Sequence, residues 1–239
     1  MIEAVTFDFW NTIATVPPGA MSAARERGVA AACASHEVEV EAEPLVEALE
    51  GVGLDWERSW AEGRHLHPHE AAESLVRTLG VEGAAREMVV EAFLGAGREV
   101  DLEFAPGIGA CLEALRERGL RLGIVCDVGF SGGELLRELL EAEGLLQHFS
   151  GWGFSDEVGH YKPAPQIFEA LTALGAEAAR AVHVGDLRRT DIAGGAALGM
   201  RTVRYRGMNP GGDAEDGVEA DIVLDDHAQL LDAVERLSA

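Results

Sequence analysis

The stretch Val5-Thr6-Phe7-Asp8-Phe9-Trp10-Asn11-Thr12 decides how this chain is read. Its first part, beginning at Ile2, is a short apolar and β-branched run, the pattern of a buried parallel strand. The run ends on an aspartate. Open α/β sheets bind ligands in the crevice outside the carboxyl ends of their strands, so Asp8 stands where a working carboxylate would. The alternative is a plain turn, capped by Asp8 and helped by Asn11 and Thr12. Later segments separate the two.

After this strand, Val16-Pro17-Pro18-Gly19 breaks the chain, and from Ala20 to about Arg98 it is rich in Ala, Glu, Leu and Arg. Helices are expected over Ala20 to Ala34, Pro44 to Leu49, His69 to Leu79 and Gly83 to Leu94, which makes an all-helical insert. Strand and helix then alternate. Helices are expected from Pro106-Gly107 to Arg118, Gly133 to Glu143, Ala164 to Leu174 and Asp191 to Leu198. Strands are expected over Leu120 to Cys126, Phe149 to Phe154, Ala181 to Val184, Met200 to Tyr205 and Asp221 to Leu224. A polar, glycine-rich loop spans Asn209 to Gly217, and a last helix carries Leu230, Leu231, Val234 and Leu237. Such alternation implies an α/β fold, a doubly wound parallel sheet of Rossmann-like kind with helices on both faces. The expected division is a core of residues 1–15 and 106–239, interrupted by a helical domain at 16–105.

With 239 residues and 47% hydrophobic side chains, the chain has ample core-forming material. Acidic residues outnumber basic ones by 42 to 19, a formal charge of −23. A surface of that sign repels nucleic acid and anionic membranes and draws in divalent cations. Small-molecule chemistry is therefore expected, and an anionic substrate would need a metal or a local basic group. Cys33, Cys111 and Cys126 have no paired short spacing, so neither a zinc site nor a disulfide framework is expected. No basic region precedes the first apolar run and no segment approaches membrane-spanning length. A cytoplasmic protein is expected; monomer and homodimer both stay open.

Three strands end in polar residues: Asp8, Cys126-Asp127, and Asp186 followed by Asp191, while Lys162 lies on a fourth connection. Loops at one end of a parallel sheet converge, so these groups can share one site. Carboxylates held together repel and raise one another's pKa unless a cation sits among them. Hard oxygen ligands suit Mg²⁺, which keeps waters for a phosphate to displace.

Taken together, the ordered segments Asp8-Phe9-Trp10-Asn11-Thr12, Ile124-Val125-Cys126-Asp127, Lys162-Pro163 and Gly185-Asp186 through Asp191 resemble the motifs of the haloacid dehalogenase superfamily. Phe154-Ser155-Asp156-Glu157-Val158-Gly159 and Val182-His183-Val184-Gly185-Asp186 are similar to its capped branch, and the insert falls where that branch has its helical cap. The resemblance implies a strand order of 3-2-1-4-5 and a hydrolase acting on a small molecule through nucleophilic Asp8. It implies Mg²⁺ held by Asp8, the Trp10 backbone carbonyl and Asp186 or Asp191, with Lys162 as a catalytic cation. Cys126 and Asp127 fall at the family's phosphoryl-binding segment, and Trp10, Asn11, Thr12 and Arg64 are candidates for substrate contact.

Two positions depart from the family pattern. Its phosphatases carry a second aspartate two residues after the nucleophile, as the acid that protonates the leaving oxygen; here Trp10 stands there. A positioned acid contributes roughly 10²–10⁴ in rate, so activated phosphates are expected to turn over better than alkyl esters. Cys126 replaces the usual Ser or Thr, and a thiol is a weak donor; burial is its expected role, with Asp127 as a minor candidate for a substitute acid. An aromatic residue at the Trp10 position also resembles the superfamily's metal-free dehalogenases, the second reading. A weakly catalytic binding protein is the third.

Smaller signals are expected to be structural. His65, His67 and His69 read as a loop preceding a helix, Trp56 and Trp60 as packing anchors four apart on a helix, and His183 as a satisfied core histidine.

Overall fold

The computed structural model describes residues 1–209 and 217–238. Residues 210–216, most of the loop expected over Asn209 to Gly217, lie outside the described residues. In chain order the elements are β1 (Ala4–Phe7), β2 (Ala14–Thr15), α1 (Ala20–Ser35), α2 (Ala42–Ala61), α3 (Pro68–Leu79) and α4 (Ala84–Leu94). There follow β3 (Glu103–Phe104), α5 (Ile108–Glu117), β4 (Arg121–Cys126), α6 (Gly133–Ala142), β5 (Phe149–Phe154) and α7 (Ser155–Val158). The chain ends with α8 (Ala170–Ala173), β6 (Ala181–Gly185), α9 (Ala193–Ala197), β7 (Arg201–Tyr205), β8 (Ile222–Leu224) and α10 (Leu230–Leu237). These elements form two compact units, one of Met1–Thr15, Glu103–Asp127 and Leu140–Ala239, the other of Val16–Leu102 and Val128–Leu139.

The first unit is built on a six-stranded sheet of order β5-β4-β1-β6-β7-β8, every pair of it parallel. Counted along the chain this is 3-2-1-4-5, extended by one more strand at the edge. β1 is buried at every residue because it lies between β4 and β6 and is covered on both faces. Its register puts Phe7 beside Ile124 and Val184, so Asp8 emerges at the carboxyl edge where Cys126-Asp127 and Gly185-Asp186 also leave the sheet. Parallel pairing forces every connection to cross over the sheet, which is why these strand ends share one edge.

The chain turns sharply after Asp8. The Phe9 carbonyl accepts from the backbone N–H groups of Ile13 and Ala14. Asn11 takes a left-handed φ of 56°, a conformation Asn tolerates better than most side chains. The antiparallel pair β2–β3 follows and joins the two segments that flank residues 16–102. Two-residue strands carry no periodicity, and this pair was not foreseen.

Other differences concern element lengths. α2 runs on past Gly51 and Gly53 because its buried stripe of Leu45, Ala48 and Val52 continues to Ser59. The helix expected over Ala164 to Leu174 is a 3₁₀ turn at Pro165–Glu169 followed by α8. That expected from Asp191 opens with a wide turn over Arg188–Ile192 before α9.

The second unit has a hydrophobic core of its own, including Val29, Leu45, Leu75, Val89 and Phe93 from α1 to α4. α3 begins with Pro68 in its first turn, with His67 as the cap that accepts from the His69 N–H and Glu70 reaching back to the His67 N–H. The histidine run is thus a helix start. Among the described residues no helix is long and apolar enough to cross a membrane.

Close packing of the 165–174 segment on β4 and β5 sets one strict requirement. A Cβ at Gly151 would lie 2.6 Å from the Ala170 carbonyl oxygen and 2.7 Å from Leu174 Cγ. Gly151→Ala is therefore expected to lower unfolding stability by about 1–3 kcal/mol, the usual cost of overpacking. Urea titration with an unchanged midpoint would show that the segment gives way freely.

Candidate active site

At the carboxyl edge of the sheet, Lys162 is the central cation. Its Nζ donates to Asp8 Oδ1 at 2.7 Å and to Asp191 Oδ1 at 2.7 Å, and all three side chains are buried. Asp8 and Lys162 are 154 residues apart in sequence. The lysine is held at both ends, because its backbone N–H donates to Asp127 Oδ1 at 2.9 Å. Asp127 thus uses a carboxylate oxygen to anchor the loop that delivers Lys162.

Asp191 is heavily subscribed. Besides the lysine, its Oδ1 accepts from His183 Nε2 at 3.1 Å, and its Oδ2 accepts from the Leu187 N–H at 3.0 Å. Gly185 makes room for this carboxylate, since a Cβ there would collide with it. Asp186 sits one residue further along and accepts from Asn209 Nδ2 at 2.6 Å. Carboxylate oxygens of Asp8, Asp186 and Asp191 all lie within 4.8 Å of one another.

Three buried carboxylates share one ammonium, and the electrostatics follow from that imbalance. Burial pushes Asp191 up, but Lys162 and His183 overcome it and hold the carboxyl well below its ordinary range. Burial works against the Lys162 charge too, and Asp191 and Asp8 more than offset it. Asp8 is left above its ordinary value, chiefly by burial, with Asp191 and Asp186 adding to it against the pull of Lys162. Asp186 is pushed to about 7 by burial and by Asp191. A further positive charge beside Asp8 and Asp186 would relieve both. The all-oxygen donor set is the kind that Mg²⁺ takes, so the residues fit that ion.

The remaining candidates divide. Cys126 is fully buried at the end of β4, and burial, reinforced by Asp8, keeps its thiol protonated far above the ordinary range. Trp10 is partly exposed in the loop after β1, its ring 4.9 Å from that of Phe9. Asn11 Oδ1 accepts from Thr15 Oγ1 at 2.8 Å, which ties it to its own turn. Thr12 is fully buried, and its carbonyl accepts from His227 Nε2 at 2.8 Å. Arg64 belongs to the helical unit, where its exposed guanidinium pairs with Glu62.

The structure adds two contributors to the site, His183, which is the satisfied core histidine expected, and Asn209. His183 does more than fill the core: it joins Asp191 to Thr6, whose Oγ1 lies 2.9 Å from His183 Nδ1. Thr6 and His183 are register partners on β1 and β6, and Thr6 lies two residues before Asp8, so strand alternation puts Thr6 on the face of the nucleophile candidate. Asn209 carried no signal, because its contact with Asp186 depends on how the chain returns after β7.

The family model described as haloacid dehalogenase-like hydrolase matches residues 2–199. The chain is 32% identical over 248 residues to glyceraldehyde 3-phosphate phosphatase of Methanopyrus kandleri, a match that covers 100% of this chain and 99% of that one. It is 36% identical over 135 residues to haloacid dehalogenase-like hydrolase domain-containing protein 3 of Mus musculus, covering 56% of this chain and 52% of the mouse protein. The chain thus spans about half the length of that relative. Among solved structures, 2-haloacid dehalogenase from Pseudomonas syringae is similar with a TM-score of 0.72 at 25% identity, covering 99% of each chain.

Removing the buried ammonium tests the charge balance. Lys162→Met leaves three carboxylates without their cation, and a loss of about 3–5 kcal/mol is expected in EDTA, as for other broken buried pairs. Denaturant unfolding reads it, and a loss below roughly 1 kcal/mol would mean that Lys162 does not hold the cluster together.

Proposed function

The chain belongs to the haloacid dehalogenase-like hydrolases, and from that membership we propose that it hydrolyses a small phosphate ester or anhydride with Asp8 as nucleophile. The cluster of Asp8, Asp186 and Asp191 about Lys162 carries this proposal. The phosphatase names of relatives such as those of M. kandleri and Thermus thermophilus support it. Residues 1–15 and 106–239 are assigned to the catalytic core and 16–105 to the cap. Three free, buried cysteines accord with a reducing cytoplasm.

An Asp8 oxygen attacks phosphorus, the bond from phosphorus to the leaving oxygen breaks, and an aspartyl phosphate forms; water then hydrolyses it and frees Asp8. Nucleophilic attack needs Asp8 ionised, and Lys162 favours that state from 2.7 Å. The same ammonium faces the negative charge of the phosphoryl oxygens. Asp191, His183 and Asp127 keep the lysine in place. Asp8, Asp186 and the Trp10 carbonyl would hold Mg²⁺, with Asp191 beside them, and the bound ion supplies positive charge opposite the phosphoryl group. Asp127 Oδ1 accepts from the Lys162 N–H, and nothing at position 10 can protonate a leaving alkoxide.

Halide displacement by Asp8 is the second reading, favoured by Trp10 and by the likeness to the P. syringae dehalogenase. The acidic cluster speaks for phosphate, since an extra buried carboxylate beside a metal-free nucleophile only raises the cost of ionising it.

Mg²⁺-dependent turnover of acetyl phosphate and p-nitrophenyl phosphate is expected, lost in EDTA and in Asp8→Asn. Glycerol phosphate should turn over roughly 10²–10⁴ more slowly, and Trp10→Asp should recover part of that difference. Equal rates on the two classes would refute the role given to Trp10. Chloride release from L-2-chloropropionate, indifferent to EDTA, would establish the dehalogenase instead. Silence with every substrate would favour a binding protein.

A further inference from the structure

We propose that a cleft within the helical unit is a binding site for a small organic carboxylate, with Arg25 as its anchor. The cleft has a volume of about 530 Å³. It is bounded by α1, by α2, by Phe93 near the end of α4 and by Phe130 of the segment that returns to this unit. The site stands on the helical unit alone and holds whether or not Asp8 transfers phosphoryl groups.

Arg25 is the unusual residue. Its guanidinium carbon lies 5.4 Å from the centre of the Phe93 ring and 5.1 Å from that of Phe130. The Nε is shut off from solvent and has no hydrogen-bond partner among the described residues. Burial lowers the pKa of the group to about 10, with no acidic neighbour raising it. In a chain with 42 acidic and 19 basic residues, a half-buried guanidinium without a carboxylate is anomalous. Ring faces offset part of the desolvation cost, but they leave the Nε–H without an acceptor among the described residues. The guanidinium edge that carries it matches a carboxylate, which takes two parallel N–H bonds.

The walls select the rest of the ligand. Leu49 and Leu54 line the cleft with the two phenyl rings, and Leu54 is 59% exposed. They would cover an aliphatic or aromatic body. Glu26, Glu50 and Glu57 also border the cleft. None pairs with Arg25, and their charge disfavours a compact dianion such as phosphate over a monoanion with an apolar body.

Calorimetric titration of the full-length protein with phenylacetate, phenylacetamide and inorganic phosphate tests the site. Phenylacetate is expected to bind, at least tenfold more tightly than its neutral amide or phosphate, and to lose at least tenfold in Arg25→Gln. A second variant guards against misfolding. A Cβ at Gly53, on the α2 wall, meets nothing within 4 Å, and a side chain there suits a helix interior better than glycine. Gly53→Leu should keep the thermal midpoint and weaken phenylacetate tenfold by filling the cleft. Absence of phenylacetate binding, equal affinity for the amide or phosphate, or full affinity in a folded Arg25→Gln or in Gly53→Leu overturns the proposal.

Discussion

A buried ammonium held 2.7 Å from two carboxylates is the interaction on which the core unit turns. Lys162 cannot stay charged in that environment without Asp8 and Asp191, and neither acid can stay ionised without it. This mutual dependence fixes the distance between the end of β1 and the connection after β6. It also leaves Asp8 and Asp186 harder to ionise, both displaced upward by burial and by neighbouring acids. A divalent cation beside them would favour their ionised forms.

Each arm of the cluster rests on a different backbone device. β1 supplies Asp8 by its central place in a parallel sheet. Asp127 clamps the Lys162 loop through a backbone N–H, while Gly185 leaves space for the Asp191 carboxylate. The wide turn over Arg188–Ile192 carries Asp191 back toward the sheet, a use of irregular helical geometry often found at functional sites. Thr6 and His183 add a polar brace inside the sheet that ends on the same carboxylate.

The helical unit follows other physics. It has an apolar core of its own, and α3 is capped at both ends, by His67 and by Gly80 in a left-handed conformation. Against that background Arg25 is out of pattern, a cation shielded by rings in a strongly acidic chain. Surface charge is cheap and tells little. A half-buried charge with no carboxylate partner among the described residues is more costly, and so it carries information about what the unit meets.

Much was legible in the sequence because it is written in local patterns. Apolar runs ending in Asp8, Cys126-Asp127 and Gly185-Asp186 identify buried strands and their functional ends, and the Ala/Glu-rich stretch after Gly19 identifies the helical insert. Their alternation determined the class of fold and the candidates Asp8, Lys162, Asp186 and Asp191. What only the tertiary structure decided depends on contacts no local pattern shows: that Lys162 bridges Asp8 and Asp191, that His183 and Asn209 support the acids, that Asp127 accepts from the Lys162 N–H, and that Arg25 packs against the adjoining rings of Phe93 and Phe130. A sequence records which side chains exist and the periodicity that buries them. Which donor meets which acceptor, whether eight residues apart as for His183 and Asp191 or 154 as for Asp8 and Lys162, is set by register and crossover geometry, and no local pattern encodes that.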